Sequence, residues 1–127
     1  MLLAEDEPGI LYTFSAILRQ QGYQVETART YAEALERMQV HKYDAIIADL
    51  NMERTGLGLE LARQAKELEP PPAVVIYTGY PTLEQLRAAL ALRVDYVALK
   101  PVDLDEIKNA LHRLIARRSA TLQRAPA

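Results

Sequence analysis

The sequence contains no cysteine, which excludes disulfide scaffolds, thiolate metal sites and cysteine nucleophiles together. It contains only two histidines, His41 and His112, too few and too far apart for a histidine-rich zinc site. No apolar run approaches the roughly 18 to 20 residues needed to span a bilayer. The N-terminal residues lack the basic-then-apolar layout of a secretory signal, because Glu5, Asp6 and Glu7 follow Leu2-Leu3-Ala4 directly. A cytoplasmic location is therefore the expectation. A strong excess of one charge is missing as well. A net charge of −2 supplies no field that would draw the chain to nucleic acid or an anionic membrane. No loop is rich enough in Gly, Ser and Thr to wrap a phosphate by its backbone, which disfavours a flavin-binding module.

What is present is ordinary for one globular domain with one core. The chain has 127 residues, half of them hydrophobic and a quarter charged, which excludes collagenous, low-complexity and charge-driven disordered classes. The charge is uneven, however: from Ile107 onward Lys108, Arg113, Arg117, Arg118 and Arg124 meet no acidic residue. The simpler account is a last helix with cations near its C-terminus, favoured by the macrodipole. The alternative is a docking surface for an acidic partner.

Apolar periodicity alternates from end to end between strand-like and helical. Leu2 to Ala4 is a short apolar start, and Ile10, Leu11, Phe14, Ile17 and Leu18 recur at helical spacing before Gly22. Tyr23 to Thr27 alternates like a strand with one wet face. Thr30-x-x-Glu33 reads as a capping box opening a second helix with Tyr31, Ala34, Leu35 and Met38 on one face. Ala45 to Ala48 and Ala73 to Tyr77 are continuous apolar runs, as expected of strands covered on both sides. Between them Leu57, Leu61, Ala65 and Leu68 mark a third helix, closed by Pro70-Pro71-Pro72. Pro81 suits the first turn of a fourth helix whose apolar face is Leu83, Leu86 and Leu90. Val94 to Leu99 reads as a fifth strand, and Asp103-x-x-Glu106 caps a final helix with Ile107, Leu111, Leu114 and Ile115. Periodicity fades after Arg118, so residues 1–118 are expected to form the domain and 119–127 a flexible tail or truncated linker.

Five strand–helix units in succession predict an α/β fold: a doubly wound, five-stranded parallel sheet with five helices on its two faces. The all-apolar strands belong in the middle and the mixed ones at the edges. An order of 2-1-3-4-5, the flavodoxin-like arrangement, satisfies this. Ligands of such sheets bind outside the carboxyl ends of the strands, near the point where the order reverses. Here strand one runs into Glu5-Asp6-Glu7, strand three ends in Asp49, strand four in Thr78, and strand five in Lys100-Pro101. Each alone has a duller explanation: an acidic helix N-terminus, a turn-forming aspartate, a loop threonine, a turn dipeptide. Their joint occurrence at four of five strand ends favours a site.

The chemistry of the set is specific. Glu5, Asp6 and Asp49 at close quarters would raise one another's pKa, and a divalent cation removes the conflict. All-oxygen ligation beside a phosphate suits Mg²⁺ better than zinc. Asp49 would then be a nucleophile able to form an aspartyl phosphate. Thr78 and Lys100 would supply a hydroxyl and an ammonium to the phosphoryl oxygens.

The stretches Leu-Ala-Glu-Asp-Glu-Pro (3–8), Asp-Ala-Ile-Ile-Ala-Asp-Leu-Asn-Met (44–52), Val-Val-Ile-Tyr-Thr-Gly (74–79) and Ala-Leu-Lys-Pro-Val-Asp (98–103) resemble those of response-regulator receiver domains of two-component signalling. The resemblance implies that Asp49 accepts a phosphoryl group from a phosphohistidine on a sensor histidine kinase or a histidine phosphotransfer protein. It further implies that Asp6 and Asp49 bind Mg²⁺ directly, Glu5 through water, and Asn51 through its backbone carbonyl. Thr78 would move toward the phosphate as the switch, with Lys100 pairing to it and a cis bond at Lys100-Pro101. Self-association through the fourth helix, fifth strand and fifth helix also belongs to the family. The domain would catalyse only its own phosphorylation and dephosphorylation, without an external substrate, and direct nucleic-acid binding by it is not expected.

Three departures stand out. Glu53-Arg54-Thr55 replaces the family's usual proline region, and the stretch to Gly58 is one residue longer than usual. Val97 occupies the position of the switch aromatic, with Tyr96 one step earlier and therefore on the opposite strand face; Thr78 is expected to signal without it. Tyr80 is expected either to overhang the site and slow attack by water, or to stand exposed at a helix entry. Two rival functions remain: a degenerate receiver serving only as an interaction module, and a Mg²⁺-dependent phosphohydrolase. The latter would want a second aspartate where Asn51 stands. The chain is expected to be either a single-domain regulator or a piece of a longer one.

Overall fold

The computed structural model describes residues 1–124. Along the chain run β1 (Leu2–Ala4), α1 (Pro8–Gln20), β2 (Glu26–Ala28), α2 (Tyr31–Val40) and β3 (Ala45–Asp49). Then come α3 (Leu57–Lys66), β4 (Ala73–Thr78), α4 (Leu83–Ala91), β5 (Tyr96–Leu99) and α5 (Leu104–Arg124). The strands form one parallel sheet in the order β2-β1-β3-β4-β5, as the placement of the all-apolar strands predicts.

The alternation of side chains along each strand divides the core into two layers. Leu2, Ala4, Ile46, Ala48, Val74 and Ile76 pack against Ala34 and Met38 of α2 and Leu61, Ala62 and Ala65 of α3. On the other face Leu3, Ile47, Val75 and Tyr77 pack against Leu11, Phe14 and Leu18 of α1 and Ile107 and Leu111 of α5. Each fully buried Val, Leu or Ile contributes about 1.5–3 kcal/mol. The two central strands, buried at every position, are therefore the rigid floor on which the carboxyl-end loops stand.

Local signals set the helix entries. Glu7 is the N-cap of α1, its carboxylate accepting from the N–H groups of Gly9 (3.1 Å) and Ile10 (2.7 Å), with Pro8 following in the first turn. Thr30 Oγ1 caps α2 by accepting from Glu33 N–H, while Glu33 turns back to Arg29 N–H. Asp103 Oδ1 accepts from the N–H groups of Asp105 and Glu106 at the start of α5.

Five sequence expectations need correction. Pro81 lies before α4; the cap is Thr82, in a reciprocal capping box with Gln85, because Thr and Gln three apart satisfy two otherwise free N–H groups at once. The α4 leucines do not form its buried face: Leu83 and Leu90 are mostly exposed, and Ala89 is the buried residue. Two stripes compete on this helix, and the sheet takes the one around Gln85, Ala88, Ala89 and Leu92, whose alanines allow close approach. β2 begins at Glu26 rather than Tyr23, since its one partner, β1, is three residues long and its register starts at Leu2↔Glu26. β5 likewise begins at Tyr96 rather than Val94. Finally, α5 does not stop near Arg118 but continues to Arg124. No Gly or Pro interrupts that stretch, and Arg118 is anchored by bonds to the Pro71 carbonyl (2.9 Å) and the Asp44 carboxylate (3.0 Å). The part of the expected tail at 125–127 lies outside the described residues. No helix among those described is long and apolar enough to cross a membrane.

Candidate functional site

The carboxyl edge of the sheet gathers the polar strand ends. β1 stops at Ala4, so Glu5 and Asp6 leave the sheet beside Asp49, the last residue of β3. Glu5, Asp6 and Asp49 each offer a carboxylate oxygen within 4.8 Å of the others. Asp49 Oδ2 accepts from the Lys100 ammonium at 2.9 Å, and its Oδ1 accepts from Asn51 N–H at 3.1 Å. Thr78 closes β4, and its buried Oγ1 has no hydrogen-bond partner. A buried hydroxyl left unpaired costs about 1–3 kcal/mol. Lys100-Pro101 is a cis peptide.

The acidic triplet divides by role. Glu7 belongs to the α1 cap, as the duller explanation has it, while Glu5 and Asp6 face Asp49. Glu5 is only 1% exposed; its Oε1 accepts from the Tyr77 hydroxyl at 2.7 Å and its Oε2 from Glu7 N–H at 3.1 Å. Burial pushes the Glu5 carboxyl up, against the Tyr77 and Glu7 bonds that favour its charge. For Asp6 desolvation also pushes upward, yet the Glu53 N–H, the bond with Glu5 and its own N–H together hold it below the usual carboxylate range. The two neighbours are thus driven apart, with Glu5 retaining a proton to higher pH than Asp6.

The loop from Leu50 to Gly56 shapes the cluster. Glu53 takes a left-handed φ of 62°, which a proline could not adopt, and Gly56 a φ of 78°. The Glu53 N–H, which proline would lack, donates to Asp6 Oδ2 at 2.9 Å. Its carboxylate accepts from Tyr31 N–H at the start of α2. Asn51 Oδ1 accepts from Gly56 N–H (3.0 Å) and from Gln85 Nε2 of α4 (3.3 Å).

The donor set fits a hard divalent cation. It is all oxygen, carries an excess of negative charge over the single Lys100 ammonium, and lies at a solvent-facing edge where water can complete the shell. Glu5, Asp6 and Asp49 would hold such an ion, which would neutralise the cluster. The opposed shifts of Glu5 and Asp6 make a pH prediction. A raised Glu5 stabilises the folded state below its ordinary value of 4.5 and loses that contribution as pH rises through the folded value. A depressed Asp6 contributes above its ordinary 3.8 and loses that as pH falls further. Thermal unfolding in EDTA should therefore show a Tm that falls as pH rises above the ordinary Glu5 value of 4.5 and through its raised folded value, and saturating MgCl2 should remove the fall. A metal-free profile that is flat or rising contradicts this.

Sequence reasoning names the residues that the structure sets together at this edge, Glu5, Asp6, Asp49 and Lys100, and also Thr78, one residue beyond Tyr77, the register partner of Asp49. It misses Tyr77 and the Glu53 N–H; the one available signal is a tyrosine inside an otherwise aliphatic strand. Tyr96 packs with the α1–α5 layer and bonds to Glu106, on the face opposite Val97, as alternation predicts. The shielding weighed for Tyr80 is not seen: it is 96% exposed, and a side chain that loses so little surface covers no neighbour. His41 sits at the C-cap of α2 and His112 is exposed on α5.

The sequence model described as the response regulator receiver domain matches residues 1–112. The transcriptional regulatory protein GlrR of Escherichia coli (strain K12) is 32% identical over 111 residues, 87% of this chain and 25% of GlrR. The chain thus spans about a quarter of the length of that relative. A crystal structure of a CheY-like receiver domain protein from Methanospirillum hungatei JF-1 superposes with a TM-score of 0.88 at 25% identity, covering 94% of this chain and 95% of that one. The response regulator TrrA from Thermotoga maritima, in complex with Mg²⁺ and BeF, gives a TM-score of 0.77 at 26% identity, covering 89% and 96%. With the family's sequence pattern running from residue 1 to 112 of a 2-1-3-4-5 sheet, this chain belongs to the response regulator receiver domains.

Proposed function

We propose that Asp49 accepts a phosphoryl group from a phosphohistidine on a sensor histidine kinase or a histidine phosphotransfer protein. The observation that carries this reading is the Asp49 carboxylate held 2.9 Å from the Lys100 ammonium within the acidic cluster. A carboxylate oxygen of Asp49 attacks phosphorus, the P–N bond of the donor breaks, and its electron pair returns to the imidazole nitrogen. Lys100 and the unpaired Thr78 hydroxyl then have three phosphoryl oxygens to bind, which removes the orphaned group. Mg²⁺, supported by the donor set and by the Mg²⁺–BeF complex of TrrA, would lie on Glu5, Asp6, Asp49 and the Asn51 carbonyl, and would offset the charge that gathers there. The domain turns over no external substrate and works in the cytoplasm.

Incubation with acetyl phosphate and MgCl2, followed by intact mass, tests this. Wild type should gain one phosphoryl group. A degenerate receiver gains none, and a phosphohydrolase releases phosphate with turnover; either result overturns the reading.

The surface that changes is α4 and β5, which leave Leu83, Leu90 and Leu99 more than half exposed. Apolar area of this kind on one face suits self-association, and sedimentation velocity before and after phosphorylation reads it. Because Val97 replaces the switch aromatic, Thr78 signals without that arm. Val97→Tyr should enlarge the phosphorylation-dependent change in amide exchange across α4; an unchanged response shows that another residue already fills the role.

A further inference from the structure

β4 is aliphatic from Ala73 to Ile76 and then carries Tyr77, whose side chain is 0% exposed. A phenol buried so completely needs a partner for its hydroxyl, and Tyr77 finds Glu5 Oε1 at 2.7 Å, 72 residues away in sequence. Register explains the meeting. Tyr77 is paired with Asp49, and Glu5 follows Ala4, which is paired with Ala48. Glu5, Asp49 and Tyr77 therefore stand abreast on three adjacent strands. Adjacent strands lie about 4.8 Å apart, so the outer two backbones are separated by about two such spacings. The long phenol and the glutamate span that gap, where an aspartate would be one methylene short. The same ring lies beneath Lys100, with Nζ 5.4 Å from its centroid, and packs on Phe14 at 5.6 Å between centroids.

We infer that Tyr77 is a positioning residue of this site: its hydroxyl sets the orientation of the Glu5 carboxylate toward a bound Mg²⁺, and its ring seats the Lys100 ammonium beside Asp49. Glu5 Oε2 is held by Glu7 N–H, so with both donors in place the carboxylate has one orientation, and its remaining lone pairs face the cluster. Without the hydroxyl, a buried oxygen loses its donor and the carboxylate is free to turn. The Lys100 half of this inference rests on the phosphoacceptor reading; the Glu5 half does not.

Calorimetric titration of MgCl2 into wild type and Tyr77→Phe, with no phosphodonor, reads the Glu5 half directly. Loss of a hydrogen bond to a charged group should raise the Mg²⁺ Kd about fivefold to tenfold in Tyr77→Phe. With acetyl phosphate, Tyr77→Phe should reach the wild-type rate at saturating Mg²⁺ but require correspondingly more of it. Tyr77→Leu, which lacks the ring, should stay slower even at saturation. Glu5→Asp keeps the tyrosine but shortens the carboxylate. It should weaken Mg²⁺ binding by a similar factor, and adding Tyr77→Phe to it should change little further. A Kd for Tyr77→Phe within about twofold of wild type, or additive losses in the double variant, overturns the positioning role. A wild type that never takes up a phosphoryl group, while Tyr77→Phe still weakens Mg²⁺ binding, overturns the phosphoacceptor reading and upholds the Glu5 half.

Discussion

Asp49→Asn protein incubated with acetyl phosphate and MgCl2 should show no gain in mass under conditions where wild type is converted. An amide offers no anionic oxygen, so the nucleophile is removed while the shape of the side chain is kept. Asn could still accept a bond from Lys100 and occupy the end of β3, so the fold should survive. The other acids are poor substitutes. Both Glu5 oxygens are engaged by Tyr77 and Glu7, and Asp6 is engaged by the Glu53 N–H. Neither stands against the Lys100 ammonium as Asp49 does. The expected effect is therefore complete loss rather than slowing, and a phosphorylated Asp49→Asn protein, mapped by peptide mass, would name a different acceptor.

Gly58→Ala should be the most damaging small substitution. A Cβ at this position would lie 2.2 Å from the Asp49 carbonyl oxygen and 2.7 Å from Leu50 Cα. Both are backbone atoms at the end of β3, where Asp49 pairs with Tyr77 of β4 and the Leu50 N–H donates to the Tyr77 carbonyl, so neither can move aside as a flexible side chain would. The N–H of Gly58 also donates to the Leu50 carbonyl at 2.8 Å, which holds α3 tight against β3. Forcing the two apart should cost about 3 kcal/mol, the upper part of the range for overpacked sites. Tm should fall by about 10 °C for a domain of this size, and the displaced Asp49 should slow phosphorylation in whatever remains folded. Gly56→Ala is the comparison: its φ of 78° is strained for alanine, but no atom lies within 4 Å, so about 1–2 kcal/mol is expected. Equal losses at the two positions, measured by thermal or urea unfolding, would contradict the close-approach argument.

The strand order and most of the site were legible in the residues, and for a local reason. A polar residue that interrupts an apolar run ends its strand, and in a parallel sheet all such ends face one edge. Asp49, Thr78 and Lys100 could be placed in this way without any long-range information. The errors were of another kind. Leu83, Leu86 and Leu90 satisfy helical spacing, but so do Gln85, Ala88, Ala89 and Leu92, and spacing alone does not say which stripe meets the sheet. Arg118 marked a change of composition rather than a helix end, because its side chain reaches back to Pro71 and Asp44 and ties the last turns down.

The amino-acid sequence by itself determined the succession of strands and helices, the depth of the two central strands and the identity of the acidic, hydroxyl and cationic groups at their ends. Each of these follows from residue type and period within a few positions of the chain. Only the tertiary structure decided that Tyr77 would bond to Glu5, that a backbone N–H at Glu53 would hold Asp6, and that the leucines of α4 would face outward. Those contacts depend on strand register and on how closely one element approaches another, quantities that no stretch of neighbouring residues contains.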